Sequence, residues 1–129
     1  MAYVVGLKDV QTTMRYEPGL KHTFALTQET CGAKKMCMFK SVIPPATSTR
    51  PHYHPGAEVF AYILSGNSRI LIGKPGSKDQ EYEVGPGMFV YIPMGEIHTW
   101  QYLSKKEPLE MIAAYSSSEG ADIPRVEVE

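Results

Sequence analysis

Apolar residues along this chain come in short runs that alternate with polar positions, and turn residues end each run early. Val, Ile, Tyr, Phe and Met dominate Lys35–Ile43, Glu58–Leu64, Ser68–Ile72, Glu81–Val84, Met88–Ile92, Thr99–Leu103 and Leu109–Tyr115, the composition of pleated, half-buried segments. Each is predicted to be a strand. No stretch sustains apolar residues at i, i+3, i+4 and i+7, so any helix is expected to be short. The 11 Gly and 10 Pro are spread between the runs, a rhythm of many short strands that predicts an all-β sandwich or barrel with few or no helices. Gly73–Gln80 is polar and turn-rich and reads as an exposed hairpin loop. Ser116–Gly120 reads as another loop, and Ala121–Glu129 as a loosely held tail. Two further strand-like stretches, Tyr3–Leu7 and His22–Thr27, lie within residues 1–30, ahead of the seven.

Composition narrows the picture. The 129 residues fit one domain, expected to span 1–129. The basic and acidic residues, 13 against 14, leave no cationic surface for nucleic acid or an anionic membrane. The apolar content is too high for disorder. The N-terminus has neither the basic start nor the long apolar run of a leader, and the longest apolar run, Val59–Leu64, is far short of a membrane span. Cys31 and Cys37 have neither metal-site nor disulfide-framework spacing and read as reduced thiols. The expectation is a cytoplasmic protein.

Two histidine patterns carry the chemistry. In Pro51-His52-Tyr53-His54-Pro55-Gly56-Ala57-Glu58, His52 and His54 share one side of an extended segment, and Glu58 follows a short turn. In Gly87–His98 a strand ends at Pro93, a Gly-containing turn follows, and His98 opens the next strand. A set of His52, His54, His98 and Glu58 would suit one divalent ion of Zn, Fe, Ni, Mn or Cu, with coordination positions left for water or substrate. The fourth histidine, His22, lies outside both patterns and reads as structural.

These two patterns resemble the paired motifs of the cupin superfamily, G-x5-H-x-H-x3-4-E-x6-G over about 46–66 and G-x5-P-x-G-x2-H-x3-N over about 85–102. The resemblance implies a double-stranded β-helix, a small jelly-roll barrel, holding a divalent metal on His52, His54, Glu58 and His98. Three positions depart from the motifs. Ala46 replaces the opening Gly, Tyr102 replaces the closing Asn, and seven residues rather than six separate Glu58 from Gly66. The extra residue calls for a bulge or a longer strand.

By alternation an inward Glu58 would bring Phe60, Tyr62 and Leu64 inward, and an inward His98 would bring Trp100 and Tyr102. Phe60, Tyr62, Trp100 and Tyr102 are therefore candidates to line a substrate pocket. Arg50, two residues before His52, is a candidate to hold a carboxylate or phosphate at the barrel mouth. The function expected is a metal-dependent enzyme acting on a small organic molecule, by dioxygenase-type or redox-neutral isomerase, cyclase or lyase chemistry. The alternative is a non-catalytic small-molecule binder or sensor. Strand-like N-terminal segments and the dimers common among similar single-domain proteins predict a homodimer.

Overall fold

The computed structural model describes residues 1–74, 76 and 80–129. Ten strands are found among them: β1 (Lys21–Leu26), β2 (Cys37–Ile43), β3 (His52–Tyr53), β4 (Val59–Ser65), β5 (Ser68–Ile72), β6 (Gln80–Val84), β7 (Phe89–Ile92), β8 (His98–Tyr102), β9 (Leu109–Tyr115) and β10 (Val126–Glu127). All seven predicted segments are strands, with ends that move by at most two residues. One helical turn, α1 (Gln28–Cys31), is capped by Thr27, whose side chain accepts from the Thr30 amide. No helix among the described residues is long and apolar enough to cross a membrane.

The strands pair into two five-stranded sheets, ordered β1-β2-β9-β4-β7 and β10-β3-β8-β5-β6, with antiparallel pairing throughout. Alternation supplies the core. Phe39, Ser41 and Ile43 of β2, and Leu109, Met111, Ala113 and Tyr115 of β9, face inward. They join Ile70, Ile72 and Trp100 of the other sheet in one apolar cluster. This is the jelly-roll barrel. β5 and β6 pair from Ile72↔Gln80 onward. Residues 75 and 77–79 of the predicted hairpin loop lie outside the described residues. Cys31 and Cys37 are free thiols.

The chain ends depart from expectation. Tyr3–Leu7 forms no strand. Tyr3, Val4 and Leu7 instead lie beside Ala25, Met38 and Ile112 on the outer side of the first sheet. The C-terminal residues are strapped down: Val126 and Glu127 pair with Tyr53 and His52, and the Val128 amide donates to the Pro51 carbonyl at 2.9 Å.

Two motif positions have clear backbone reasons. A Cβ on Gly66 (φ +84°) would sit 2.8 Å from the Pro108 carbonyl oxygen and 2.9 Å from Leu109 Cα, so only glycine fits. Ala46, which stands at the other glycine position, takes φ +56°, the left-handed region that a Cβ disfavours by about 1–2 kcal/mol. Ala46→Gly is accordingly expected to raise the unfolding free energy by roughly 0.5–1 kcal/mol, part of the relief being offset by the freer unfolded chain. Urea denaturation checks this, and an unchanged or lower midpoint refutes it.

Candidate metal centre

β3 and β8 lie side by side in the second sheet, with His52 directly opposite His98. Their rings are 4.3 Å apart between centroids, and His54, two residues along from His52, lies 5.1 Å from His52 and 5.8 Å from His98. All three side chains are buried. Each Nδ1 faces a backbone carbonyl: Arg50 at 2.8 Å for His52, Pro124 at 3.2 Å for His54 and Glu96 at 2.9 Å for His98. A carbonyl only accepts, so each Nδ1 carries the proton and donates. That leaves three Nε2 lone pairs. The three histidines offer ligand atoms lying within 4.8 Å of one another. Three neutral imidazoles fixed in one tautomer by carbonyl acceptors are a donor set that a borderline divalent ion accepts.

The histidines open onto a cavity with about 50 Å³ of water-accessible space, lined also by Val59, Trp100, Met111, Tyr115, His22 and Arg125. A single water needs about 10–15 Å³ on this scale, so the space admits roughly three to five water-sized groups.

Glu58 is not part of this group. Val59, Ala61 and Ile63 of β4 face the core, while Phe60, Tyr62 and Leu64 are exposed. Glu58 shares the outward parity, and its carboxylate accepts a short hydrogen bond from the Tyr91 hydroxyl. The inward placement expected for Glu58, Phe60 and Tyr62 is thus corrected. Phe60 packs at a tilt against Tyr91, and Tyr62 against Phe89, at centroid distances of 5.2 and 4.8 Å, on the outer face. The seven-residue interval has the same origin. Four residues separate His54 from Val59, and six separate Val59 from Gly66, so on the motif's longer spacing a valine, buried and facing the cavity, occupies the carboxylate position. The bulge sits further along: pairing shifts between Ile63↔Met111 and Ser65↔Glu110, which leaves Leu64 over.

Trp100 lines the cavity. Tyr102 is buried but lies away from it, under Gly66, whose Cβ would come within 3.2 Å of its hydroxyl. Arg50 is a strut outside the cavity. Its guanidinium bonds Glu17 and Glu127, and its carbonyl orients His52.

Several residues around the site lie outside both histidine patterns. The Arg125 side chain is 7% exposed, donates to Glu17 Oε1 at 2.6 Å and lies over the Tyr16 ring. Glu17, also buried, accepts in addition from the Arg50 amide at 2.9 Å and Nε at 3.1 Å. His22 packs between aromatic rings, stacked on Phe24 and Phe39 with Tyr16 edge-on.

Burial sets the protonation of the histidines. Desolvation, with smaller repulsions from neighbouring rings and from Arg125, lowers His22 and His98 to about 4 and His52 to about 2. His54 moves in the same direction for the same first reason. All four are neutral at pH 7, the form that coordinates. In the unfolded chain these rings bind protons near pH 6.5, before the native ones do. Acidification through pH 6.5 toward 4 therefore favours unfolding, and the stability they contribute is fully present only above 6.5. For His22 alone the loss is about 3 kcal/mol at one pKa unit per 1.36 kcal/mol. The unfolding free energy of chelator-treated protein is expected to fall across that window, and His22→Phe is expected to flatten the fall. Equal slopes in the two proteins would refute it.

The cupin-domain family model matches residues 39–115, more than half of the chain. The chain belongs to the cupin family. Among solved structures, this cupin resembles the polyketide cyclase RemF from Streptomyces resistomycificus, with 26% identity and a TM-score of 0.78 over 100% of this chain and 87% of that one. It also resembles an oxalate decarboxylase from Lactobacillus farciminis solved as a formate complex, with 16% identity and a TM-score of 0.77 over 94% of this chain. The S161A mutant of the Bacillus subtilis oxalate decarboxylase gives 18% identity and a TM-score of 0.77 over 95% of this chain. The chain spans about a third of the length of the two decarboxylases (34% and 31%). No curated protein sequence matches it.

Proposed function

We propose that this cupin is a metal-dependent enzyme of redox-neutral chemistry, acting on a small oxygenated organic molecule. The observation that carries the reading is the convergence of His52, His54 and His98, each with its Nδ1 committed to a carbonyl. A divalent ion on these three nitrogens supplies Lewis acidity toward a carbonyl or enolate oxygen. The chain's own residues do the rest. Trp100, Met111 and Val59 give the cavity an apolar wall that excludes bulk water, which strengthens electrostatic contacts inside. The likeness to a protein named as a polyketide cyclase, over the full length of this chain, supports cyclisation, isomerisation or bond cleavage over oxygenation.

Elemental analysis of untagged protein tests this. Zinc, nickel or manganese near one ion per chain supports it. Stoichiometric iron or copper points to oxygenation, and protein without metal points to a non-catalytic binder.

We propose also that two copies associate. The outer face of β4 and β7 presents Phe60, Tyr62, Leu64, Phe89 and Tyr91 to solvent, a contiguous apolar patch of the kind that marks an interface. Light scattering coupled to gel filtration checks the mass. A mass equal to one chain, 14.4 kDa, refutes the dimer.

A further inference from the structure

We infer that Arg125 anchors a small carboxylate in the cavity beside the three histidines. The inference names the substrate class of the proposed site and rests on that reading for the carboxylate's second anchor.

Arg125 lines the cavity, its side chain only 7% exposed. Its Nε–H is buried and has no hydrogen-bond partner. A buried donor left unmade costs about 1–3 kcal/mol, and more when charged. An orphaned donor of this kind calls for a bound water, ion or ligand.

Charge points the same way. Glu17 accepts from both Arg125 and Arg50, so one buried carboxylate is shared by two guanidinium groups. Arg50 reaches solvent and a second carboxylate, Glu127. Arg125 has neither outlet. Among the described residues, no acidic side chain lines the cavity, and valine stands where the family motif places a carboxylate. A cavity walled by neutral imidazoles, aliphatic groups and one under-compensated cation selects an anion. Arginine's planar fork matches a carboxylate, and the small cavity favours a compact planar anion over a tetrahedral one. The space fits one, since acetate has four non-hydrogen atoms and the cavity admits roughly three to five water-sized groups.

The test uses acetate and its neutral isostere acetamide, followed by the 15N–1H signal of the Arg125 Nε–H in chelator-treated full-length protein. Arg125→Lys identifies that signal by its loss. Acetate is expected to shift it saturably while acetamide leaves it in place. In Arg125→Lys, acetate affinity read from the histidine ring signals is expected to fall at least fivefold, because the charge is kept while the Nε–H is lost. No saturable shift, an equal response to acetamide, or unchanged affinity in the lysine variant overturns the assignment. Should the variant fail to fold, the wild-type titration decides alone, with the signal assigned through scalar coupling to the Arg125 side chain. Zinc titration of the same protein reads the metal centre separately. Acetate binding without zinc binding overturns the metal reading and leaves Arg125 standing. Zinc binding with no Arg125 response to acetate overturns the anchor and leaves the metal reading intact.

Discussion

His98→Ala is expected to lower the affinity for a divalent ion by at least about a hundredfold, beyond the ten- to hundredfold typical of losing a residue that merely orients a ligand. Removing one of three nitrogens leaves two imidazoles, and among the described residues no side-chain carboxylate lines the cavity to replace the third. His98 is 2% exposed and sits at the start of β8, whose pairing with β5 from Ile72↔His98 to Ser68↔Tyr102 is made by the backbone. The barrel should therefore persist, with an unchanged far-ultraviolet spectrum. Competition against a chromophoric chelator measures the affinity, and a wild-type value in a folded variant would refute the three-histidine site. Glu58→Ala is the internal control. Its carboxylate bonds Tyr91 on the outer face, so its loss should leave metal affinity within about twofold, the difference of roughly 0.4 kcal/mol that an exposed contact supplies.

The second large effect is on stability. Glu17→Ala is expected to cost about 3–5 kcal/mol, the range found when one partner of a buried ion pair is removed and the other charge stays behind. Arg125 would be that charge. Buried to the same extent as Glu17, at 7% side-chain exposure, it would keep only the face of Tyr16. Arg50 loses less, because it is more than half exposed and retains Glu127. The double variant Glu17→Ala/Arg125→Met should recover more than half of the loss, since it leaves no uncompensated charge in the barrel. Guanidinium denaturation of the wild type, Glu17→Ala, Arg125→Met and the double variant reads the coupling. Additive costs in the double variant would show that the pair is worth no more than its separate packing contacts.

How much of this was legible from the sequence follows from how local each signal is. Strand positions were legible because alternation is local: Ser68–Ile72 and Leu109–Tyr115 match the structure residue for residue. The histidines were legible because His52 and His54 are two apart on one segment, and His98 follows a turn with its own glycine and proline marks. The facing of β4 was not. Val59, Phe60, Ala61, Tyr62, Ile63 and Leu64 are apolar at both parities, so alternation had no polar mark to say which side was in. Anchoring the phase on Glu58 turned the strand over. A count from Gly66 instead of from His54 would have given the right face. Tyr102 shares the buried character of Trp100 but lies one turn of the pleat beyond the cavity. The pairing of Glu17 with Arg125 spans 108 residues, and no periodicity within either segment announces it. His22 did carry a faint signal, as it alternates with Phe24 on β1, and both face the core.

The way the C-terminal residues close over His52 and His54 has a consequence for the order of assembly. The acceptor that fixes His54, the Pro124 carbonyl, lies 70 residues further along the chain, and Arg15 reaches 107 residues to Asp122. Loops of that length are entropically costly to close until the strands between them have already paired. The three-histidine arrangement is therefore one that the chain completes late in folding, when Pro124 reaches His54. The barrel is the mould and the terminal strap the closing piece, so an ion held by these histidines would act as a lock on a finished molecule rather than as the seed around which it forms.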